Sequence, residues 1–262
     1  LPEDSFVLFD THTHLNDPLL HTNLEEVLQR AKEAHVEKMA SVGYDWASSL
    51  MSLRLAERYP GRIYAVVGLH PHDAALWNEE LAEKFYTLCA NPLAVAVGEI
   101  GFDYHYEGYD QKKQAKAFRE QIAIAKELVK PVVIHDRDAH GDTMRILKEE
   151  KAGVNGGILH CYSGSWEMAA EYIRMGFDIS FAGPVTYQNS RGLVQVAAHV
   201  PLENLLVETD CPYLSPHPYR GKTNEPSRVV LVAEKLAELK NIAFEELANI
   251  TTKNAYRVYK IS

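Results

Sequence analysis

The chain has 262 residues, 46% hydrophobic and 24% charged, the balance of an ordinary globular protein long enough to bury one large core. Its net charge of −9 argues against broad adhesion to nucleic acid through a basic surface, although bound cations add local positive charge that such a count leaves out. No run approaches 18 uninterrupted apolar residues, so no transmembrane helix and no membrane partner are expected, and the scattered Cys89, Cys161 and Cys211 fit a reducing cytoplasm rather than a disulfide framework.

In chain order, Leu1–Asp4 carry neither the basic nor the apolar stretch of a secretory signal. Phe6–Asp10 is the first of eight short apolar runs; the others are Lys38–Val42, Ile63–Gly68, Ala94–Ile100, Pro131–His135, Gly157–His160, Asp178–Phe181 and Leu205–Glu208. Being apolar almost throughout, they read as strands buried on both faces. Helical patterns lie between them. Leu24, Val27, Leu28 and Ala31 recur at helical spacing. Asp110 opens a long helix that ends near Lys130, and Ser165 caps another that stops at Gly176. The segment after Phe244 reads as a last helix packing outside. Eight strands alternating with helices predict an α/β fold, a single (β/α)8 TIM barrel over residues 1–262. An open doubly wound sheet is the competing architecture, weakened because no GxGxxG follows the first run.

In such a barrel all the carboxyl ends of the strands meet at one face. The first run exits into Asp10-Thr11-His12-Thr13-His14, and later runs exit at Glu99, His135, His160 and Asp210. Two histidines at i and i+2 of a strand point to the same side, roughly 6–7 Å apart, so His12 and His14 are expected to share one ion. His135 and His160 are expected to hold a second, with Glu99 bridging the two and Asp210 ligating one. Imidazoles mixed with carboxylates suit borderline or hard divalent cations (Zn, Mn, Ni, Co or Mg). Two such ions acidify a shared water and polarise a scissile group, which points to a metal-dependent hydrolase with Asp210 as general base.

Other residues surround this set. Glu208 is expected to orient Asp210 or a ligand histidine, or to pair with a deeper cation. His70 and His72 contact a substrate phosphate, hold the ligands, or cap the loop around Pro71. Asp103 anchors a loop or a histidine. Arg137 offers a fork to phosphate, or pairs with Asp136, Asp138 or Asp142. Arg220 and Lys222 lie in the long segment 214–228, which either clamps a phosphate backbone or is simply solvated. Tyr104, Tyr106 and Tyr109 are read as packing over the barrel rim, with base stacking as the alternative.

Several of these stretches are recognisable together: Asp10-Thr-His-Thr-His14, Gly68-Leu-His-Pro-His72, Val97-Gly-Glu-Ile-Gly-Phe-Asp-Tyr104, Val133-Ile-His-Asp-Arg-Asp-Ala139, His160-Cys-Tyr-Ser-Gly164 and Glu208-Thr-Asp-Cys-Pro-Tyr213. In this order and spacing the sequence resembles, over nearly its whole length, the TatD-type metal-dependent deoxyribonucleases, a branch of the amidohydrolase-like barrels. The resemblance implies metal positions at His12, His14, Glu99, His135, His160 and Asp210. It also implies a cytosolic enzyme that hydrolyses DNA phosphodiesters, often from a 3′ end, with no obligate protein partner. Hydrolysis of an amide, lactone or other ester on the same barrel is the alternative.

Overall fold

The computed structural model describes residues 6–261, so Leu1–Asp4, considered above for a signal, lie outside the described residues. Eight strands form one sheet: β1 (Leu8–Thr13), β2 (Val36–Val42), β3 (Ile63–Val67), β4 (Ala94–Asp103), β5 (Val132–Arg137), β6 (Gly157–Leu159), β7 (Phe177–Phe181) and β8 (Leu205–Val207). All pairs are parallel and follow the order of the sequence from β1 to β8. The ring closes at the strand ends, where Thr13 bridges Cys211 in parallel. There the Asp210 N–H donates to the His12 carbonyl at 2.9 Å and the His14 N–H to the Cys211 carbonyl at 2.8 Å. This is the expected TIM barrel.

The strands read as continuous apolar runs because each packs helices on one face and the barrel interior on the other. Phe9, Ala40, Val66, Ala96, Val133, Ile158 and Leu206 fill that interior, from seven different strands. The helix caps fall as expected. The Asp110 carboxylate accepts from the N–H groups of Lys112 and Lys113, and Ser165 accepts from Met168 N–H. Among the described residues no helix is long and apolar enough to cross a membrane.

One expectation is corrected. The helix Phe244–Tyr259 does not pack outside; its Ala255, Val258 and Tyr259 join the interior cluster. Its Thr252 and Asn254 bond the carbonyls of Val7, Leu202 and Leu205, at the points where β1 and β8 begin. The helix therefore floors the barrel at the end opposite the strand exits. An apolar stripe recurs at the same spacing whether the helix lies beside the barrel or beneath it, so periodicity alone cannot separate the two placements. The Tyr259 hydroxyl donates to the Thr11 carbonyl at 2.7 Å inside the core. Tyr259→Phe is expected to lower stability by about 0.5–1.5 kcal/mol, seen as an earlier urea midpoint at unchanged slope.

Candidate metal centre

β1 runs on through Thr13 and β4 through Asp103, both further than the apolar runs alone indicate. Polar residues in these two strands are therefore held by ladder geometry rather than by loops. β3 and β4 approach closely where Glu99 emerges. A side chain at Gly68 would meet the Gly98 carbonyl at 2.6 Å, so only glycine fits there.

Glu99 sits at the centre, buried, and turns one oxygen each way. On one side Oε2 stands 3.5 Å from His12 Nε2 and 3.8 Å from His14 Nε2. Asp210 Oδ1 stands 3.7 Å and 3.3 Å from the same two nitrogens. These separations are long for hydrogen bonds. They match four donor atoms each about 2.1 Å from one tetrahedral ion, which stand about 3.4 Å apart. On the other side Oε1 lies 2.7 Å from His135 Nδ1 and 2.8 Å from His160 Nε2, which are 3.3 Å from each other.

The far nitrogens explain what the near ones offer. His14 Nδ1–H donates to the Val42 carbonyl at 2.9 Å. His135 Nε2–H donates to Asp103 Oδ2 at 3.0 Å, and His160 Nδ1–H to Glu208 Oε1 at 3.1 Å. Each neutral ring thus keeps a lone pair aimed inward at Glu99. His12 stacks on His160 with ring centroids 3.9 Å apart, and neither of its nitrogens has a hydrogen-bond partner although the ring is buried. Lone pairs converging on carboxylates are unfavourable unless a cation lies between them. The residues therefore fit divalent ions, one group comprising His12, His14, Glu99 and Asp210 and the other Glu99, His135 and His160.

His70 differs. Its Nδ1 accepts the His72 N–H at 3.1 Å, so the neutral ring carries its proton on Nε2. That nitrogen stands 3.8 Å from Glu99 Oε1 and presents a donor, not a lone pair. Burial, reinforced by nearby His135, holds its pKa well below the ordinary imidazole value, so it stays neutral.

A family model described as TatD related DNase matches residues 9–260. The chain belongs to this family. It is 48% identical over 256 residues to the uncharacterized metal-dependent hydrolase YabD of Bacillus subtilis, covering 98% of this chain and 100% of that protein. The 3′-5′ ssDNA/RNA exonuclease TatD of Pectobacterium parmentieri is 33% identical, covering 97% and 100%. The crystal structure of the TatD homologue YJJV from Escherichia coli superposes with a TM-score of 0.91 at 30% identity, over 97% and 98% of the two chains. As a member of the TatD family, the chain is a metal-dependent hydrolase.

The remaining residues of this TatD-family site fall into two groups. Asp103 Oδ2 anchors His72 Nε2 at 3.0 Å as well as His135, as an anchoring role predicts. Glu208 reaches His160 and not a deeper cation, and its Oε2 has no hydrogen-bond partner. Arg137 pairs with none of the three neighbouring aspartates. Asp136 takes His140, Asp138 takes His105 and Asp142 takes Arg145, while the Arg137 guanidinium lies 5.5 Å from the Tyr106 ring centroid. Arg220 and Lys222 rest on Tyr187 and Tyr219, at 4.4 and 5.9 Å. Among the described residues they have no bond to the central imidazoles and carboxylates. Two positions were missed from sequence. The Gln121 amide bonds both backbone groups of Leu69, and Gln114 does the same for Asp103. Both sit on the helix Gln111–Glu127, seven residues apart on one buried face, and pin the segments that carry His70 and Asp103. Two amides at i and i+7 within an apolar stripe were the available signal.

Without metal this site stores protons. Burial alone pushes His160 down, but Glu99 and Glu208 beside it outweigh that and hold its pKa well above the ordinary value. Burial pushes Glu99 up, and the surrounding histidines, His160 foremost, more than reverse it. The raised His160 stabilises the metal-free fold fully below the ordinary imidazole pKa, and that contribution is lost as pH rises through the raised value. Metal uptake near neutrality should release protons and weaken as pH falls. Calorimetry in buffers of differing ionisation heat checks this, and zero net release would contradict it.

Proposed function

We propose that this TatD-family chain is a deoxyribonuclease that trims DNA from a 3′ end using two divalent cations. The observation that carries the reading is Glu99, one oxygen directed at His12 and His14 and the other at His135 and His160. His12, His14 and Asp210 would hold one cation and His135 and His160 the other, with Glu99 shared. Magnesium, manganese, zinc, nickel or cobalt there would supply Lewis acidity at the scissile phosphate and lower the pKa of an adjacent water.

The protein's own groups do the rest. Asp210 is kept ionised: burial raises its pKa, but His14, His12 and His160 together bring it below the ordinary carboxylate value. It accepts the proton of the attacking water. His70 donates its Nε2–H to a phosphoryl oxygen, where charge grows in the transition state. Arg137, with no carboxylate partner among the described residues, offers a cationic contact. An inward N–H on His70, with a guanidinium on the strand that carries His135, suits an anionic phosphodiester better than a neutral amide or lactone. The relative named as a 3′-5′ exonuclease supports the direction. Three free cysteines support a reducing cytoplasm as the setting.

The test is single-stranded DNA labelled at one end, incubated with protein and Mg²⁺ or Mn²⁺, with and without EDTA. Metal-dependent shortening from the 3′ end is expected. Intact DNA in the presence of metal-loaded protein would refute the reading.

A further inference from the structure

We propose that a cavity beside the metal centre is a subsite for one nucleobase of the substrate strand, with Tyr106 as its stacking platform; this rests on the nuclease reading above. The cavity measures about 640 Å³, within the roughly 300–1,000 Å³ of small-molecule sites. Pro71, Ala74 and Ala75 line it from the β3 side, Tyr106 and Tyr109 from the β4 side. His72 and Asp103 line it too, and Asp103 is bonded to His135 at 3.0 Å. One side chain thus separates this space from the centre where the phosphate reacts.

The three tyrosines do not pack as a single rim cluster. Tyr104 and Tyr109 stack on each other with centroids 4.4 Å apart, and the Tyr104 hydroxyl donates to Asp142. Tyr106 stands apart and is 57% exposed. It is steadied by an edge contact with His72 at 5.2 Å and by the Arg137 guanidinium, which does not line the cavity. A ring still 57% exposed, with His105 at its edge and over it a cation that has no carboxylate partner among the described residues, matches a nucleotide, with the base on the free part of the ring and its phosphate near the guanidinium.

The Glu107 carboxylate and the Lys113 ammonium, the latter 3.9 Å from Asp110 Oδ2, also line the cavity and are the groups placed to meet a base edge. The Gln114 amide is spent on the Asp103 backbone, and the Asp110 carboxylate caps a helix. Stacking on Tyr106 accepts any base, so a preference among bases would come from Glu107 and Lys113.

The experiment compares wild type, Tyr106→Ala and Tyr106→Trp on single-stranded DNA and on the same strand with a baseless tetrahydrofuran nucleotide flanking the scissile phosphate on either side. Tyr106→Ala should lower kcat/KM on normal DNA by roughly 5- to 100-fold. It should leave one of the baseless strands unaffected, and Tyr106→Trp should restore the rate. A 2-aminopurine at that nucleotide should be quenched on binding to EDTA-treated wild type and not to Tyr106→Ala. Equal losses on normal and baseless strands, or equal quenching by both proteins, would overturn the subsite while the nuclease stands. Wild type that cleaves none of the strands would overturn both.

Discussion

Glu99→Gln is expected to lower turnover on the order of 10³-fold or more and to remove tight binding of both cations together. The argument is geometric. Among the described residues Glu99 is the one group with an atom facing each histidine pair, Oε2 toward His12 and His14 and Oε1 toward His135 and His160. An amide keeps the shape but replaces one oxygen with a donor that repels a cation, and it removes the charge that helps hold both. Losing several kcal/mol of charge stabilisation corresponds to roughly three orders of magnitude in rate. The amide also leaves the protonated His160 without its nearest counter-charge in the metal-free state, so His160 should titrate lower in the variant. Titration with Mn²⁺ followed by calorimetry, beside a nuclease assay, reads both effects. Two equivalents bound at wild-type affinity would contradict the bridging role.

Asp210→Asn is expected to behave differently, reducing kcat by roughly 10²- to 10⁴-fold with a much smaller change in KM. Asp210 occupies a left-handed backbone position, φ 56°, in the turn leaving β8. Asparagine tolerates that conformation as well as aspartate does, and the Asp210 N–H bond to the His12 carbonyl is a main-chain contact, so the barrel closure should persist. What is lost is the anionic acceptor. A metal titration of the rate separates this from a simple loss of metal: raising metal concentration restores a weakened site but not a missing base. Full recovery at high Mn²⁺ would reassign Asp210 to metal binding alone.

Much of this was legible in the sequence. The eight strands were visible because a barrel strand is buried on both faces, and that produces unbroken apolar runs. The convergence of His12, Glu99, His135, His160 and Asp210 followed from topology, although Glu99 and His135 lie within β4 and β5, four and two residues before those strands end, rather than at their exits. The strand limits were less clear. Thr11, Thr13 and Asp103 are polar, yet they remain in the ladder, the two hydroxyls donating to the Val207 and Ala40 carbonyls and the Asp103 carboxylate holding His72 and His135. The floor helix was misplaced because its stripe of buried residues carries no label for what it faces. The sequence left the role of His70 open between contacting a substrate phosphate, holding the ligands and capping the loop around Pro71. The choice depends on one backbone N–H, that of His72, fixing the proton on the far nitrogen, and a residue letter does not encode a tautomer. Tyr106 was grouped with Tyr104 and Tyr109 by adjacency, whereas the fold pairs those two and leaves it open.

The floor helix has a consequence for the order in which the molecule is made. The Tyr259 hydroxyl reaches the Thr11 carbonyl, 248 residues earlier and one residue before His12. On the ribosome the first strand therefore waits for almost the entire barrel to be synthesised before its inner end is covered. Contacts of such long sequence separation slow folding and leave the nascent barrel open to water and to wrong partners. His12 of β1 and His14 just after it should accordingly be among the last to acquire their native surroundings, although they are among the first to be translated.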